Sequence, residues 1–282
     1  MINTSQSRSP GFDWQAILAI ATRDIRIVSR SKGVLLPMIL VPLLLLVIMP
    51  AAFGLIAPHV DVSNELEDLE TFLEMMPTPL SAEFEGYTPG QTMLAAMWLY
   101  FYAPLFLIIP TMTASVIAAG SFAGEKERKT LEALLYTPTT DAELVLGKML
   151  AAWIPAILVN IAGFLLYGTV VNATAWGTMG GPFFPNTMWL VLVFWTGPAA
   201  AGLGLGSTVL VSSKVNTYQD AYQLSGLVVL PIIILILGQL GGVVYLSPVF
   251  VFAAGLLLWV VDAVILWFAT RTFQRSEIVA RL

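Results

Sequence analysis

Six apolar stretches punctuate this chain, at 34–57, 93–119, 146–171, 188–211, 226–245 and 249–270. Each approaches or exceeds the roughly 20 residues a helix needs to cross the hydrocarbon core of a bilayer. Backbone amides there have no water to bond, so each segment must satisfy its own, which a helix does. The stretches therefore predict an all-α polytopic membrane protein with six spans. Composition agrees: 57% of the 282 residues are hydrophobic and 11% charged, too little polar surface to wrap one soluble core. The first stretch follows a largely polar leader, residues 1–33, and is too long for a signal-peptide core, so it reads as a retained span. Gly238, Gly241 and Gly242 weaken the fifth stretch, which leaves a re-entrant hairpin as the alternative there.

Charge sets the orientation. All 13 Lys and Arg fall on one side of the six-span arrangement. Arg8, Arg23, Arg26, Arg30 and Lys32 precede the first span, and Lys126, Arg128, Lys129 and Lys148 separate the second from the third. Lys214 follows the fourth, and Arg271, Arg275 and Arg281 follow the sixth. The opposite side carries acids instead: Asp61, Glu65, Glu67, Asp68, Glu70, Glu74, Glu83 and Glu85, all within 58–92. The positive-inside rule then predicts a multi-pass protein of the plasma membrane with both termini in the cytoplasm. The chain divides into a cytoplasmic leader at 1–33, a membrane domain at 34–270 and a tail at 271–282. The acids of 58–92 lack the spaced ligands of a calcium loop, so a solvated outer segment is expected, with His59 an interfacial residue.

In the leader, Trp14, Ile17, Leu18, Ala21, Ile25 and Val28 recur at helical spacing, with Arg23, Arg26 and Arg30 off that face. This predicts an amphipathic helix along the membrane surface, its arginines near headgroups. It serves either as an anchor or as an element that transmits motion. Between the second and third spans, segment 120–145 contains Glu125-Lys126-Glu127-Arg128-Lys129-Thr130-Leu131-Glu132-Ala133-Leu134-Leu135-Tyr136-Thr137-Pro138. Leu131, Leu134 and Leu135 form an apolar stripe on a charged helix that Pro138 ends. Thr140 and Glu143 have the spacing of a capping box that starts the next helix. Such a short helix is marginal alone in water and predicts a docking surface, either the bilayer or a partner protein; the alternative is a solvated charged loop.

These residues resemble the signature of type-2 ABC transporter permeases, the membrane subunits related to sodium- and drug-efflux exporters. The matching positions are Glu125, Glu127, Thr130, Leu131, Glu132, Leu134, Leu135, Thr137, Pro138, Gly147 and Lys148, and the tail Arg271-x-Phe273-x-Arg275-Ser276-Glu277-Ile278 is similar to the family's ending. Lys129 stands where the family usually has glycine, and Thr139-Thr140 where an apolar-Ser pair is common. The resemblance implies a dimeric exporter permease, its second subunit another copy or a paralogue. It implies a coupling helix, Arg128 included, that docks on a separate ABC ATP-binding subunit carrying the ATP and magnesium. No cofactor is expected in this chain.

Other chemistry is sparse. Cysteine is absent and His59 is the one histidine, which removes thiol and Ser-His catalysis and multi-histidine zinc sites. No phosphate-binding loop occurs, and no partner of nucleic-acid type is indicated. Asp262, Asn160 and Gln239 are the intramembrane polar candidates. Asp262 and Asn160 lie at broadly comparable depth, which allows a hydrogen-bonded pair; the alternatives for Asp262 are protonation, a place in a polar translocation cavity, or a bond to a neighbouring helix. Gly120-x-x-x-Gly124, Gly202-x-x-x-Gly206 and Gly238-x-x-x-Gly242 permit close helix approach, within one chain or across a dimer. Prolines 37, 42, 104, 110, 155, 198 and 231 predict kinks. A stand-alone transporter or channel driven by an ion gradient is the alternative function; an intramembrane enzyme lacks the constellation it would need.

Overall fold

The computed structural model describes residues 13–56, 83–128 and 139–272, with side chains described to Phe268. Within these residues there are helices and no strands. An amphipathic helix α1 (Trp14–Val28) is followed by six helices long and apolar enough to span a bilayer. These are α2 (Lys32–Ile56), α3 (Pro89–Glu127), α4 (Asp141–Met179), α5 (Thr187–Ser212), α6 (Tyr218–Leu240) and α7 (Pro248–Thr272). His59 and the acids from Asp61 to Glu74 lie outside the described residues. So do Thr130, Leu131, Glu132, Leu134, Leu135, Thr137 and Pro138.

The fifth span starts earlier than its hydropathy suggests. Thr217 accepts a hydrogen bond from the Asp220 N–H and caps α6 at Tyr218. Gly242, at φ 68°, follows the helix end in the left-handed region that glycine tolerates. The helix α4 holds 39 residues, about 58 Å at 1.5 Å per residue, so it extends well beyond the hydrocarbon core. The expected capping box opens it: Thr140 Oγ1 accepts from the Glu143 N–H, and a Glu143 carboxylate oxygen accepts from the Thr140 N–H.

The helices α3 and α5 form the mostly buried centre, whereas α2, α6 and α7 bury few of their residues. Their outward side chains are large and apolar, among them Leu36, Ile39, Leu40, Ile234, Leu237, Leu257 and Val260. That inside-out distribution suits lipid as solvent. The glycines of Gly202-x-x-x-Gly206 are used within the chain: a Cβ at Gly202 would meet the Asp262 carboxylate, and one at Gly206 would meet Ile265. Thus α5 and α7 approach closely. A Cβ at Gly120 would meet nothing within 4 Å, and Gly238 and Gly242 belong to the end of α6. Neither of these two motifs joins spans within the chain.

Pro37, Pro42 and Pro155, where kinks were expected, lie inside regular α-helix. Three helices carry a single π-helical turn ahead of one proline each, at Leu44–Ile48, Ala96–Phe101 and Leu192–Thr196. In each, an N–H reaches back five residues: Met49 to Leu44, Tyr102 to Met97 and Gly197 to Leu192. Pro50, Pro104 and Pro198 follow immediately or one residue later. A proline ring collides with the carbonyl four residues before it, and the wider turn moves that carbonyl aside. Buried side chains occupy several carbonyls of these turns. Tyr167 donates its hydroxyl to Trp98 O at 2.8 Å, Trp189 its indole N–H to Leu99 O at 2.7 Å, and Asn160 its amide to Val193 O at 2.9 Å.

Candidate functional site at the basic end of the bundle

The described basic residues gather where α1, the start of α4, the end of α3 and the start of α6 meet. The face that α1 turns to the protein is Ile17, Ile20, Ala21, Asp24 and Val28. It packs chiefly on α4. Gly147 permits the approach, because a Cβ there would lie 2.9 Å from Ile20 Cβ and 3.0 Å from Ile17 O. This corrects the face expected from periodicity. Trp14 and Leu18 are exposed (63% and 54%), and Ile25 is half-buried. The protein takes one apolar stripe and leaves a second, centred on Trp14 and Leu18, available to a membrane surface.

Asp24 is an acid in the middle of the packed stripe, 2% exposed, a position no charge holds without compensation. Its partner is Lys148, one turn beyond the capping box of α4 and likewise 2% exposed. The Lys148 ammonium reaches Asp24 Oδ2 at 3.3 Å, Glu125 Oε2 at 2.5 Å and the Ser121 carbonyl at 2.7 Å. The Phe122 ring centroid lies 5.6 Å away, within cation–π range. Glu125 Oε1 in turn accepts from Arg23 Nη2 at 3.2 Å. One buried lysine thus joins α1, the end of α3 and the start of α4.

Neighbouring bonds extend this junction. Glu143 Oε1 accepts from the Asp13 N–H at 2.8 Å, so one carboxylate serves the N-termini of both α1 and α4. Lys126 donates to the Val215 carbonyl at 3.0 Å, and Glu127 Oε2 accepts from the Tyr218 N–H at 2.8 Å. The last turn of α3 is therefore bonded to α1, α4 and the entrance of α6.

Of the residues singled out from sequence, Glu125 is buried at this junction, Glu127 is exposed and bonded to α6, and Arg128 is exposed. Arg23 is turned to Glu125, a departure from the expected headgroup orientation, because the ion pair lies across the α1–α3 contact. Arg26 and Arg30 are exposed as anticipated. Lys148 and Asp24 were not flagged as a pair; an acid inside an apolar stripe was the signal available.

The Asn160–Asp262 hydrogen bond that their similar depth allows does not form. Asn160 packs against Gly197 and Asp262 against Gly202. These glycines are five residues apart on α5, roughly 140° around the helix at 100° per residue. Asn160 bonds Val193 O, while neither Asp262 oxygen has a hydrogen-bond partner at 3% exposure. Gln239 sits at the far end of α6, half-buried and remote in sequence position from both.

A sequence model of the family described as ABC-2 family transporter protein matches residues 18–258. The match contains Asp24, Glu125, Lys148 and Asn160 and stops short of Asp262. No curated protein matches the chain.

Proposed function

Because the chain belongs to the ABC-2 family of transporter proteins, we propose that it is one half of a dimeric ABC exporter, worked by a separate ATP-binding subunit docked on segment 120–145. Membership makes it a multi-pass transmembrane subunit of a transporter, with no catalytic role of its own. It also stands against a gradient-driven transporter acting alone. In the proposed arrangement the basic end faces the cytoplasm, in the plasma membrane, and ATP and magnesium are bound by the partner. The second membrane subunit is another copy or a paralogue.

The observation that carries the reading is the set of bonds from Glu125, Lys126 and Glu127 to α1, α4 and α6. A displacement imposed on the segment just beyond Arg128 is passed directly to three other helices. Packed elements of this kind shift as rigid bodies between discrete arrangements. Leu131 and Leu135 are the proposed apolar contacts with the ATPase.

The test is purification from the native membrane in mild detergent. Wild type is expected to bring a stoichiometric ATP-binding subunit, and Leu131→Asp to insert normally but lose it. A Leu131→Asp chain that keeps this subunit in normal yield overturns the docking assignment.

A further inference from the structure

The first half of α2 carries a groove of about 360 Å³, lined by Lys32, Leu35, Leu36, Ile39, Leu40 and Leu43. These positions recur at helical spacing and share one face of the helix. Leu36, Ile39, Leu40 and Leu43 are exposed there, with no described residue packed over them. The lining has one polar member among the described residues, Lys32, and it stands at the end of the groove. From Lys32 to Leu43 the groove runs about 16 Å at 1.5 Å per residue, half the depth of a roughly 30 Å hydrocarbon core. It stops where the π turn Leu44–Ile48 begins.

The free charge at the polar end has a single sign. Arg26, Arg30 and Lys32 are exposed, and none of them pairs with a described acid. The acid nearest in sequence, Asp24, is buried and turned to Lys148. An apolar slot one leaflet deep, with uncompensated cations at its headgroup end, matches a hydrocarbon chain that carries an anionic head. We propose that this groove seats an acyl chain of an anionic phospholipid, in the leaflet at the basic end of the bundle, with the headgroup charge beside the Lys32 ammonium. Lysine suits that place, because its stem lies along apolar surface while the ammonium stays at the interface. A second copy of this chain is the rival occupant for so apolar a face. In a two-fold assembly with its axis along the membrane normal, the same patch meets itself and equivalent residues lie at equal depth. A seam of α2 on α2 would set the two Lys32 side chains level, like charge against like charge. An anionic headgroup relieves that charge, whereas a second copy adds to it. The inference rests on no reading of what is transported.

The test uses the full chain in nanodiscs of equimolar phosphatidylglycerol, phosphatidylcholine and phosphatidylethanolamine, released into mild detergent for native mass spectrometry. Wild type is expected to retain phosphatidylglycerol about fivefold over phosphatidylcholine, the effect of one basic residue near an anionic surface. Lys32→Gln should abolish that preference, and Lys32→Arg should keep it. Ile39→Trp fills the groove from an exposed position and should lower retention of phosphatidylglycerol with Lys32 intact, which separates a seated chain from charge alone. The chain has no cysteine, so Ile39→Cys reports a neighbouring copy by itself, and little disulfide-linked dimer is expected on oxidation in the membrane. Equal retention of the lipids by wild type, a preference surviving in Lys32→Gln, unchanged retention in Ile39→Trp, or Ile39→Cys joined in high yield to its own copy overturns the proposal.

Discussion

Replacing Lys148 with methionine removes one charge and strands two. At an effective dielectric near 20, unit charges at the observed 3.3 and 2.5 Å attract by about 5 and about 7 kcal/mol. Most of that offsets the cost of taking three ions out of water. Without Lys148, however, the cost to Asp24 and Glu125 is uncompensated, since Arg23 is partly solvated and touches them from one side. The expected loss is about 3–5 kcal/mol. It should fall on α1, whose packed stripe contains Asp24. Amide hydrogen exchange of residues 14–28 in detergent should then speed up by at least about a hundredfold, at 1.4 kcal/mol per factor of ten. The triple neutral variant Asp24→Asn, Glu125→Gln, Lys148→Met should recover most of the protection, because no unpaired charge is left. Unchanged exchange in Lys148→Met, or a triple variant as damaged as the single one, would refute the electrostatic account of the junction.

Two further expectations concern the bilayer interior. Asn160→Leu keeps side-chain size but removes the donor to Val193 O; calorimetry should show a loss of about 1–3 kcal/mol, and an unaltered transition would mean the π-turn carbonyl needs no partner. Gly202→Ala drives a methyl group into the Asp262 carboxylate and should cost about 1–3 kcal/mol. Adding Asp262→Ala should return much of it, whereas strictly additive effects in the double-mutant cycle would show that the contact is not what matters.

Much of this architecture is written locally. Apolar run length gives the six spans, and Thr140 with Glu143 announces the start of α4 three residues apart. The extent of α1 is also local, but which stripe of it meets protein is not. Trp14 and Leu18 are as apolar as Ile17 and Ile20, and only the bare Gly147 on α4 selects between them. The Lys148 junction is illegible for the same reason, since its members come from residues 24, 125 and 148 and acquire meaning when three helix ends converge. Depth along the membrane suggested pairing Asn160 with Asp262, yet depth carries no information about azimuth, and α5 stands between them. Prolines were a partial guide to where helices are disturbed: π turns precede Pro104 and Pro198, but also the unflagged Pro50, while Pro37, Pro42 and Pro155 lie inside regular α-helix. At the π turns, Tyr167, Trp189 and Asn160 donate to backbone carbonyls.

The three π turns have a bearing on how such helices tolerate changes in length. Each accommodates one more residue per turn than an α-helix does, so the register on its two sides differs from that of an uninterrupted helix by about 100°. Deleting one residue inside Leu44–Ile48, Ala96–Phe101 or Leu192–Thr196 can close the turn to ordinary α geometry while both flanks keep their facing. The same deletion elsewhere in α2, α3 or α5 rotates everything beyond it away from its packing partners. All three turns lie toward the end of the bundle opposite Lys148. Insertions and deletions in relatives should therefore concentrate in that half, leaving the helix lengths between the turns and the ion junction fixed.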